Sequence, residues 1–195
     1  MIGAVILAGG RGSRAGGPKI IWEFEGIPAV RRVAEAALAA RRVDRVAVVT
    51  GAWPDEVREA LAGLPLIIDH NPHYAQGQAE SLKAGLTALG DGLRAVIFLL
   101  ADQPFITSQI IDDLVEFYQA SGCPLAAPVV AGKRVNPVLF DLGRFQTELM
   151  RLSGDEGGRS LMTDHASEAG FLDMNDRDPL CFQDFDTREE YSRLL

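Results

Sequence analysis

The sequence predicts an α/β domain with three layers, in which helices cover both faces of a mostly parallel sheet. Short, continuously apolar segments alternate with segments of helical periodicity along most of the chain. Strands that are apolar on both faces are typical of a parallel sheet with helices on each side. A glycine-rich segment directly follows the first apolar segment. Sheets of this kind bind ligands at the carboxyl ends of their strands.

The first half of the chain shows this alternation regularly. The first apolar run stops at Gly9, the second ends before Gly51, and glycine is typical of the turns that follow strands. Pro54 indicates the start of a helix because proline is well accommodated in the first helical turn. Helical spacing connects Val30, Val33, Ala34, Ala37 and Leu38. The predicted strands lie at residues 3–7, 46–50, 66–68 and 95–100, and the predicted helices over 30–38, 54–61 and 79–89.

The second half of the chain begins with the same alternation and then becomes less regular. Apolar runs and helical spacing still define its segments. The predicted helices cover residues 108–120, 142–152, 157–165 and the end of the chain from 187, and the predicted strands lie at 125–130, 138–140, 171–174 and 181–185.

Composition excludes several classes of protein. The 195 residues are a length typical of one domain, so we expect a single domain over residues 1–195. A formal net charge of -8 argues against a nucleic-acid partner, which would require a surface rich in lysine and arginine. Cys123 and Cys181 predict neither a disulfide framework nor a structural zinc site. No apolar run is long enough to span a membrane, and we expect a cytoplasmic protein without a membrane partner.

The segment after the first strand is rich in glycine and in positive charge. Residues 7–19 contain five glycines and three cationic side chains. Glycine lets the backbone approach a ligand closely and point successive N–H groups at anionic oxygens. Arg14 and Lys19 are suited to neutralising phosphate charge. We therefore expect this segment to bind a triphosphate.

Other interpretations fit this segment less well. A Walker A loop requires serine or threonine after its lysine, but Ile20 follows Lys19. A dinucleotide-binding fingerprint can be aligned with residues 10–15, but Pro18 and the two glycines before it would break the helix that this motif requires. A surface loop without a ligand is the remaining alternative, which the length and charge of the segment disfavour.

Acidic residues in two places are candidates for binding a divalent cation. Asp102 follows the apolar strand at 95–100, at the end of the sheet where ligands bind, although an aspartate close to a proline is also typical of a turn. Asp184 and Asp186 are two residues apart at the end of a short predicted strand, so alternation should turn both to the same side. Asp186 is equally suited to capping the terminal helix. The residues alone leave both interpretations open.

The glycine-rich segment resembles the signature of the MobA-like nucleotidyltransferases, at Leu7, Ala8, Gly9, Gly10, Gly12, Ser13, Arg14, Gly16 and Lys19. Within that superfamily, four further segments are similar to molybdenum cofactor cytidylyltransferases: His70-Asn71-Pro72-x-Tyr74-Ala75-Gln76-Gly77, Ser81-Leu82-Lys83-x-Gly85-Leu86, Ala101-Asp102-Gln103-Pro104 and Asp184-Phe185-Asp186-Thr187. Ala15 departs from the usual methionine, and Gly9 has the form usual in the guanylyltransferase branch. The resemblance spans essentially the whole chain and implies a Rossmann-like sheet of the nucleotide-diphospho-sugar transferase type.

The resemblance also implies a role for particular residues. It makes Arg14, Lys19 and Asp102 catalytic, with Mg²⁺ held by Asp102 and Asp186. The implied nucleotide site consists of Leu7, Ala8, Gly9, Gly10, Gly12, Ser13, Asn71, Gly77, Gln78 and Ser81. The implied acceptor site consists of Asn136, Asp155 and Arg159, of which the last two precede or begin a predicted helix whose N-terminus is suited to an anion.

The expected function is Mg²⁺-dependent transfer of CMP from CTP to molybdopterin or the molybdenum cofactor, with release of pyrophosphate. An acceptor phosphate is already ionised near neutral pH, so the reaction needs no protein nucleophile. The product is expected to reach a molybdoenzyme or its chaperone. Three alternatives stay open: a GTP-dependent guanylyltransferase for the same cofactor, a sugar-phosphate or alditol-phosphate nucleotidyltransferase, and a non-catalytic chaperone that binds the cofactor.

Overall fold

The computed structural model describes residues 1–12 and 15–195. Its strands are β1 (Ile2–Ala8), β2 (Glu23–Phe24), β3 (Ile27–Pro28), β4 (Arg45–Thr50), β5 (Ile67–His70), β6 (Ala95–Leu100), β7 (Leu125–Val130), β8 (Lys133–Arg134), β9 (Val138–Asp141) and β10 (Ala169–Asp173). Its α-helices are α1 (Ala29–Ala39), α2 (Pro54–Ala60), α3 (Gln78–Leu89), α4 (Ser108–Ser121), α5 (Leu142–Arg151), α6 (Gly158–Asp164) and α7 (Arg188–Leu194). Short 3-10 turns lie at Lys19–Ile21, Tyr74–Gln76 and Pro179–Phe182.

The main sheet has the strand order β10-β7-β9-β6-β1-β4-β5, and β8 pairs with β7. Strand β1 lies between β4 and β6 and is parallel to both. Strand β9 runs antiparallel to its neighbours β6 and β7. Helices cover both faces, so the predicted three-layer α/β/α fold with a mostly parallel sheet is confirmed.

The reversed direction of β9 matters for the position of the site. Val138, at the start of β9, pairs with Phe98 near the carboxyl end of β6. An antiparallel strand begins where its neighbours end. The segment just before β9, which includes Asn136, therefore lies at the same edge of the sheet as the carboxyl ends of β1 and β6.

Two apolar cores lie on opposite faces of the sheet because successive strand residues point to opposite sides. Ile6 of β1 belongs to the core that α1, α2 and α4 cover, whereas Val5 belongs to the core under α3, α5 and α6. Helix α3 lies directly on β1, since a Cβ atom on Gly85 would stand only 2.3 Å from Cγ1 of Val5. This close packing brings the start of α3 near the end of β1.

A third, aromatic cluster joins the β2–β3 hairpin to the C-terminal segment. Phe24 of β2 packs edge-on against Phe185 at a ring separation of 5.3 Å, and Trp22 stacks on the same ring at 5.9 Å. The Tyr191 hydroxyl of α7 donates a hydrogen bond to the carbonyl oxygen of Glu23 at 2.6 Å. These contacts hold the Phe185 segment beside the glycine-rich segment, although the two are far apart in sequence.

The structure differs from the sequence prediction mainly near the C-terminus. The segment predicted as a strand at 181–185 contains the end of a 3-10 turn, because the Asp178 side chain accepts a hydrogen bond from the Leu180 amide at 2.9 Å and Pro179 follows. The hairpin of β2 and β3 was not predicted. Among the helices that the structure describes, none combines the length and apolar character needed to cross a membrane.

Candidate active site

A cavity of about 450 Å³ opens where β1 and β6 end. Its walls come from the glycine-rich segment, the start of α3, the end of β6 and the loop before α6. The lining residues are Leu7, Ala8, Gly9, Gly10, Arg11, Gly12, Lys19, Ile20, Tyr74, Ala75, Gly77, Gln78, Ser81, Leu100, Asp102 and Asp155. We call it the donor cavity because it contains most of the residues predicted to bind the nucleotide.

The glycine-rich segment folds back on itself at one side of the donor cavity. The Gly12 carbonyl oxygen accepts hydrogen bonds from the amides of Ala15 and Gly17 at 3.0 and 3.2 Å. Gly12 has a φ of 62°, and a Cβ atom there would stand 1.9 Å from the Gly17 carbonyl oxygen. Only glycine is compatible with this turn. Two predicted site residues, Ser13 and Arg14, lie outside the residues that the structure describes.

Buried polar residues join β5 to α3 at the opposite side of the donor cavity. Asn71 and Ser81 are both buried, and Nδ2 of Asn71 donates to Oγ of Ser81 at 3.1 Å. Oδ1 of Asn71 accepts from the His73 amide at 2.9 Å. Asn71 does not line the cavity itself, but it holds Ser81 and the following turn in place. A buried network of this kind is satisfied and rigid.

Lys19 connects the two acidic segments predicted to bind metal. Its Nζ atom donates hydrogen bonds to Oδ2 of Asp102 at 2.7 Å, Oδ1 of Asp186 at 2.6 Å and the Phe185 carbonyl oxygen at 2.6 Å. Burial lowers the pKa of Lys19, but the charges of Asp102 and Asp186 outweigh that effect and leave the pKa above its ordinary value. The ammonium group is therefore charged and balances two carboxylates.

Asp184 and Asp186 of the C-terminal acidic segment lie in different surroundings, and neither of them caps the terminal helix. Thr187, not Asp186, caps α7, and its side chain accepts from the Glu190 amide in a capping box. The Asp186 side chain is directed to Lys19. Asp184 lines a second cavity. Partial desolvation and the negative charge of Asp102 raise the pKa of Asp184 above its usual value.

The second cavity has a volume of about 380 Å³ and adjoins the donor cavity, with which it shares the lining residues Leu7, Gln78 and Leu100. It combines apolar, aromatic and cationic side chains. Its further lining residues are Leu82, Phe98, Gln103, Arg134, Val135, Asn136, Val138, Gly158, Arg159, Phe182 and Asp184. We call it the acceptor cavity, since Asn136 and Arg159 were predicted to bind the acceptor. Asp155, predicted with them, lines the donor cavity instead.

Arg134 and Gln103 line the acceptor cavity and were not predicted as site residues. Burial and the nearby positive charge of Arg159 lower the pKa of Arg134. Two like charges at one cavity favour an anionic ligand. Gln103 is buried, and its Nε2 donates to the Phe182 carbonyl oxygen at 2.7 Å. The signal for both was present in the sequence, because Gln103 adjoins Asp102 and Arg134 lies two residues before Asn136.

The donor set around Lys19 fits a hard divalent cation. Oxygens of Asp102, Asp186 and Phe185 converge on one point, and Mg²⁺ prefers oxygen ligands, usually one or two carboxylates together with substrate phosphates. The described residues contain no group of three or more His, Cys, Asp or Glu side chains placed for a metal. The protein would thus supply two carboxylates, and the substrate and water would supply the remaining ligands.

The fold and the two adjoining cavities agree with an NTP transferase domain. Residues 4–169 match the MobA-like NTP transferase domain, and the chain belongs to this family. The chain is 30% identical to a molybdenum cofactor guanylyltransferase of Cupriavidus pinatubonensis, over 83% of this chain and 80% of that protein. It is 32% identical to the molybdenum cofactor guanylyltransferase of Rhodobacter capsulatus, over 58% of this chain and 57% of that protein.

A solved structure agrees with the fold over the whole chain. Rv0371c from Mycobacterium tuberculosis H37Rv superposes with a TM-score of 0.85 at 24% identity, covering 100% of this chain and 97% of that one. The chain spans less than two thirds of the length of several curated relatives that it matches. The predicted membership of the MobA-like superfamily is confirmed.

Proposed function

We propose that this protein transfers a nucleoside monophosphate from an NTP to a phosphate of molybdopterin or the molybdenum cofactor, with release of pyrophosphate. The single observation behind this proposal is that the donor and acceptor cavities adjoin each other, since Leu7, Leu100 and Gln78 line both. Two substrates bound in adjoining cavities can come into contact where the cavities meet. Asp102 and Lys19 line the donor cavity.

The residues of the chain promote transfer by positioning and by charge neutralisation. An acceptor phosphate oxygen forms a bond to the α-phosphorus of the NTP, and the bond from that phosphorus to the bridging oxygen breaks, so that pyrophosphate leaves with the electron pair. Both reactants are anions, so holding them in line and neutralising the developing charge lower the barrier. The glycine-rich segment supplies backbone N–H groups for the phosphates, and Lys19 and Arg14 supply positive charge.

Mg²⁺ is part of this proposal. Asp102 and Asp186 would hold it, and the bound ion supplies a Lewis acid that neutralises phosphate charge during transfer. Asp102 extends from the end of β6, next to the donor cavity, and Asp186 is fixed by the aromatic cluster around Phe185. The two carboxylates lie close to one point, since both accept a hydrogen bond from Nζ of Lys19.

We propose GTP as the first candidate for the donor nucleotide and CTP as the second. The guanylyltransferases among the relatives support GTP. Gly9 agrees with it, because glycine at this position is the form usual in the guanylyltransferase branch that the chain resembles. The four segments that resemble cytidylyltransferases favour CTP. The prediction of CTP as the main donor is therefore replaced by an ordered pair of candidates.

The acceptor cavity has the chemistry for a planar, anionic ligand. Phe98 and Phe182 contribute aromatic surface, while Arg134 and Arg159 contribute positive charge. A pterin that carries a phosphate combines a flat ring system with an anion. The proposed product would be used in the cytoplasm by a molybdoenzyme or by the chaperone that loads it.

Pyrophosphate release tests the proposal directly. It is measured with GTP, CTP, ATP and UTP, each with Mg²⁺, either without an acceptor or with molybdopterin, a sugar phosphate or an alditol phosphate. We expect release that requires both an NTP and the pterin, fastest with GTP. Release with CTP alone among the four reverses the order of the bases. Release only with a sugar phosphate or alditol phosphate contradicts the proposed acceptor and favours a nucleotidyltransferase for those substrates. Pterin binding without any release contradicts the proposed reaction and favours a non-catalytic chaperone.

A further inference from the structure

The Nζ atom of Lys19 occupies a position with the oxygen surroundings of a metal site. Three oxygens surround it within 2.6–2.7 Å, two from carboxylates and one from a backbone carbonyl. The Lys19 side chain is 13% exposed, so water reaches it only from one side. The Lys19 ammonium group therefore stands between the side chains of Asp102 and Asp186.

The backbone holds Lys19 in this position. Its amide donates to the Gly17 carbonyl oxygen at 2.8 Å, and its carbonyl oxygen accepts from the Trp22 amide at 3.0 Å. Trp22 and Phe24 in turn pack on Phe185, whose carbonyl oxygen bonds Nζ and whose ring lies 5.6 Å from it. The aromatic cluster therefore anchors both the lysine backbone and one of the oxygens that surround its ammonium group.

We propose that Lys19 fills the cation site in the nucleotide-free protein and leaves it for the triphosphate when metal and nucleotide bind. This inference rests on the metal site of the proposed function. Lys19 is then a positioning residue for the carboxylates before catalysis, and it determines that metal binds with the nucleotide rather than ahead of it.

Charge balance is the physical reason for this order. An ammonium group and a divalent cation repel each other and compete for the same carboxylate oxygens. A metal ion that binds without nucleotide can reach the carboxylates only if it displaces Lys19 from them. Such a metal ion brings no new anion with which the displaced lysine can pair. A triphosphate in the donor cavity offers Nζ replacement oxygens, because Lys19 lines that cavity. Metal and nucleotide therefore favour each other's binding through Lys19.

The experiment measures Mn²⁺ affinity by the electron paramagnetic resonance signal of the free ion, without nucleotide and with the GTP analogue that has a methylene group between the α and β phosphates. Wild-type protein is expected to bind Mn²⁺ weakly alone and more tightly with the analogue. Lys19→Met and Lys19→Gln are expected to bind Mn²⁺ alone on the order of tenfold more tightly than wild type, within the usual range of coupling between sites. Lys133→Met removes an exposed lysine of β8 and is the matched control with wild-type affinity.

The location of the gained site is tested by Lys19→Met combined with Asp102→Asn, which should lose the increase. Equal Mn²⁺ affinity of wild type and both Lys19 variants would overturn the inference, and so would an increase that survives Asp102→Asn. Wild-type protein provides a second test that needs no variant, since Mn²⁺ binding as tight without the analogue as with it also overturns the inference. If the Lys19 variants gain Mn²⁺ but wild type shows no transfer with any NTP and acceptor, the cation exchange stands and the proposed function fails.

Discussion

Gly77 and Gly154 touch so closely that a Cβ atom on Gly77 would stand 2.0 Å from the Gly154 carbonyl oxygen. The same carbonyl oxygen accepts from the amide of Ala79 in the first turn of α3 at 3.1 Å. This contact joins the start of α3 to the loop that carries Asp155 into the donor cavity and leads to Arg159 in the acceptor cavity. One backbone contact therefore supports both cavities.

Gly77→Ala should lower both thermal stability and nucleotide affinity. Gly77 has φ 119° and ψ 173°, a conformation essentially restricted to glycine, with a strain of roughly 1–3 kcal/mol for other residues. The clash with Gly154 adds to this strain. Gly90→Ala is the matched control, since Gly90 has φ 72° and ψ −171° but a Cβ atom there would meet only a side-chain nitrogen of Arg45, at 3.7 Å. Equal losses of melting temperature in the two variants would show that the contact with Gly154 is unimportant.

Asp102→Asn should reduce turnover by on the order of 10³-fold with little change in melting temperature, because a neutral amide cannot balance the charge of a cation. Asp186→Asn and Asp184→Asn compare the two candidates for the second carboxylate. Of these two, Asp186 is the one that bonds Lys19 together with Asp102, so we expect the larger loss and the larger rise in Mg²⁺ requirement in Asp186→Asn. A larger loss in Asp184→Asn would transfer the metal-binding role to that residue.

Arg134→Gln should weaken acceptor binding without weakening nucleotide binding. A hydrogen bond to a charged group contributes roughly 1.5–3 kcal/mol, which corresponds to a rise in acceptor KM of about tenfold or more. The melting temperature should not fall, because the variant removes the repulsion between Arg134 and Arg159. Arg151→Gln, at the exposed end of α5, provides the control. An equal rise in the KM values of NTP and acceptor would contradict the assignment of the acceptor cavity.

His165→Gln should lower stability in mildly acidic solution and have little effect at high pH. Nδ1 of His165 lies 2.9 Å from Glu168 and Nε2 lies 2.8 Å from Glu148, while Arg144 pairs with both glutamates. The bond to Glu168 and the charge of Glu148 raise the pKa of His165 above 6.5. The stabilising contribution of the imidazolium is therefore fully present below pH 6.5 and disappears as the pH rises through the raised pKa.

The acidic limit of this cluster comes from the glutamates. Hydrogen bonds from Arg144 and His165 lower the pKa of Glu168 from 4.5 to about 2. Its contribution is present above pH 4.5 and disappears as the pH falls toward about 2. Melting temperatures of wild type and His165→Gln between about pH 4 and 9 measure the difference. A difference that does not shrink toward high pH would contradict this account.

The sequence predicts the fold well where structure depends on local pattern. The apolar runs of β1, β4 and β6 and the helical spacing of α1 are visible without any knowledge of contacts. The segment at 181–185 was wrongly predicted as a strand because apolar residues indicate burial, and a 3-10 turn starting at Pro179 buries Phe182 equally well. The short β2–β3 hairpin depends on positive φ angles at Glu25 and Gly26, and Glu25 gives no sequence signal for such a turn.

The sequence identifies most of the residues in the candidate site, but not the contacts between them. Most residues expected to bind the nucleotide line the donor cavity, because they lie at the carboxyl ends of strands. The bond between Lys19 and Asp186 joins residues 167 positions apart, and no periodicity in the sequence indicates it. The interpretation of Asp186 as a helix cap was reasonable from its position, but Thr187 has the glutamate three residues later that a capping box requires.

Leu7 and Leu100, which line both cavities, are direct neighbours in the ladder between β1 and β6. The boundary between the two cavities is thus part of the central sheet, where adjacent strands are held about 4.8 Å apart by backbone hydrogen bonds. The relative position of the two cavities is consequently set by the sheet itself. Preference for a different acceptor can therefore evolve at the outer residues of the acceptor cavity while Leu7 and Leu100 stay unchanged.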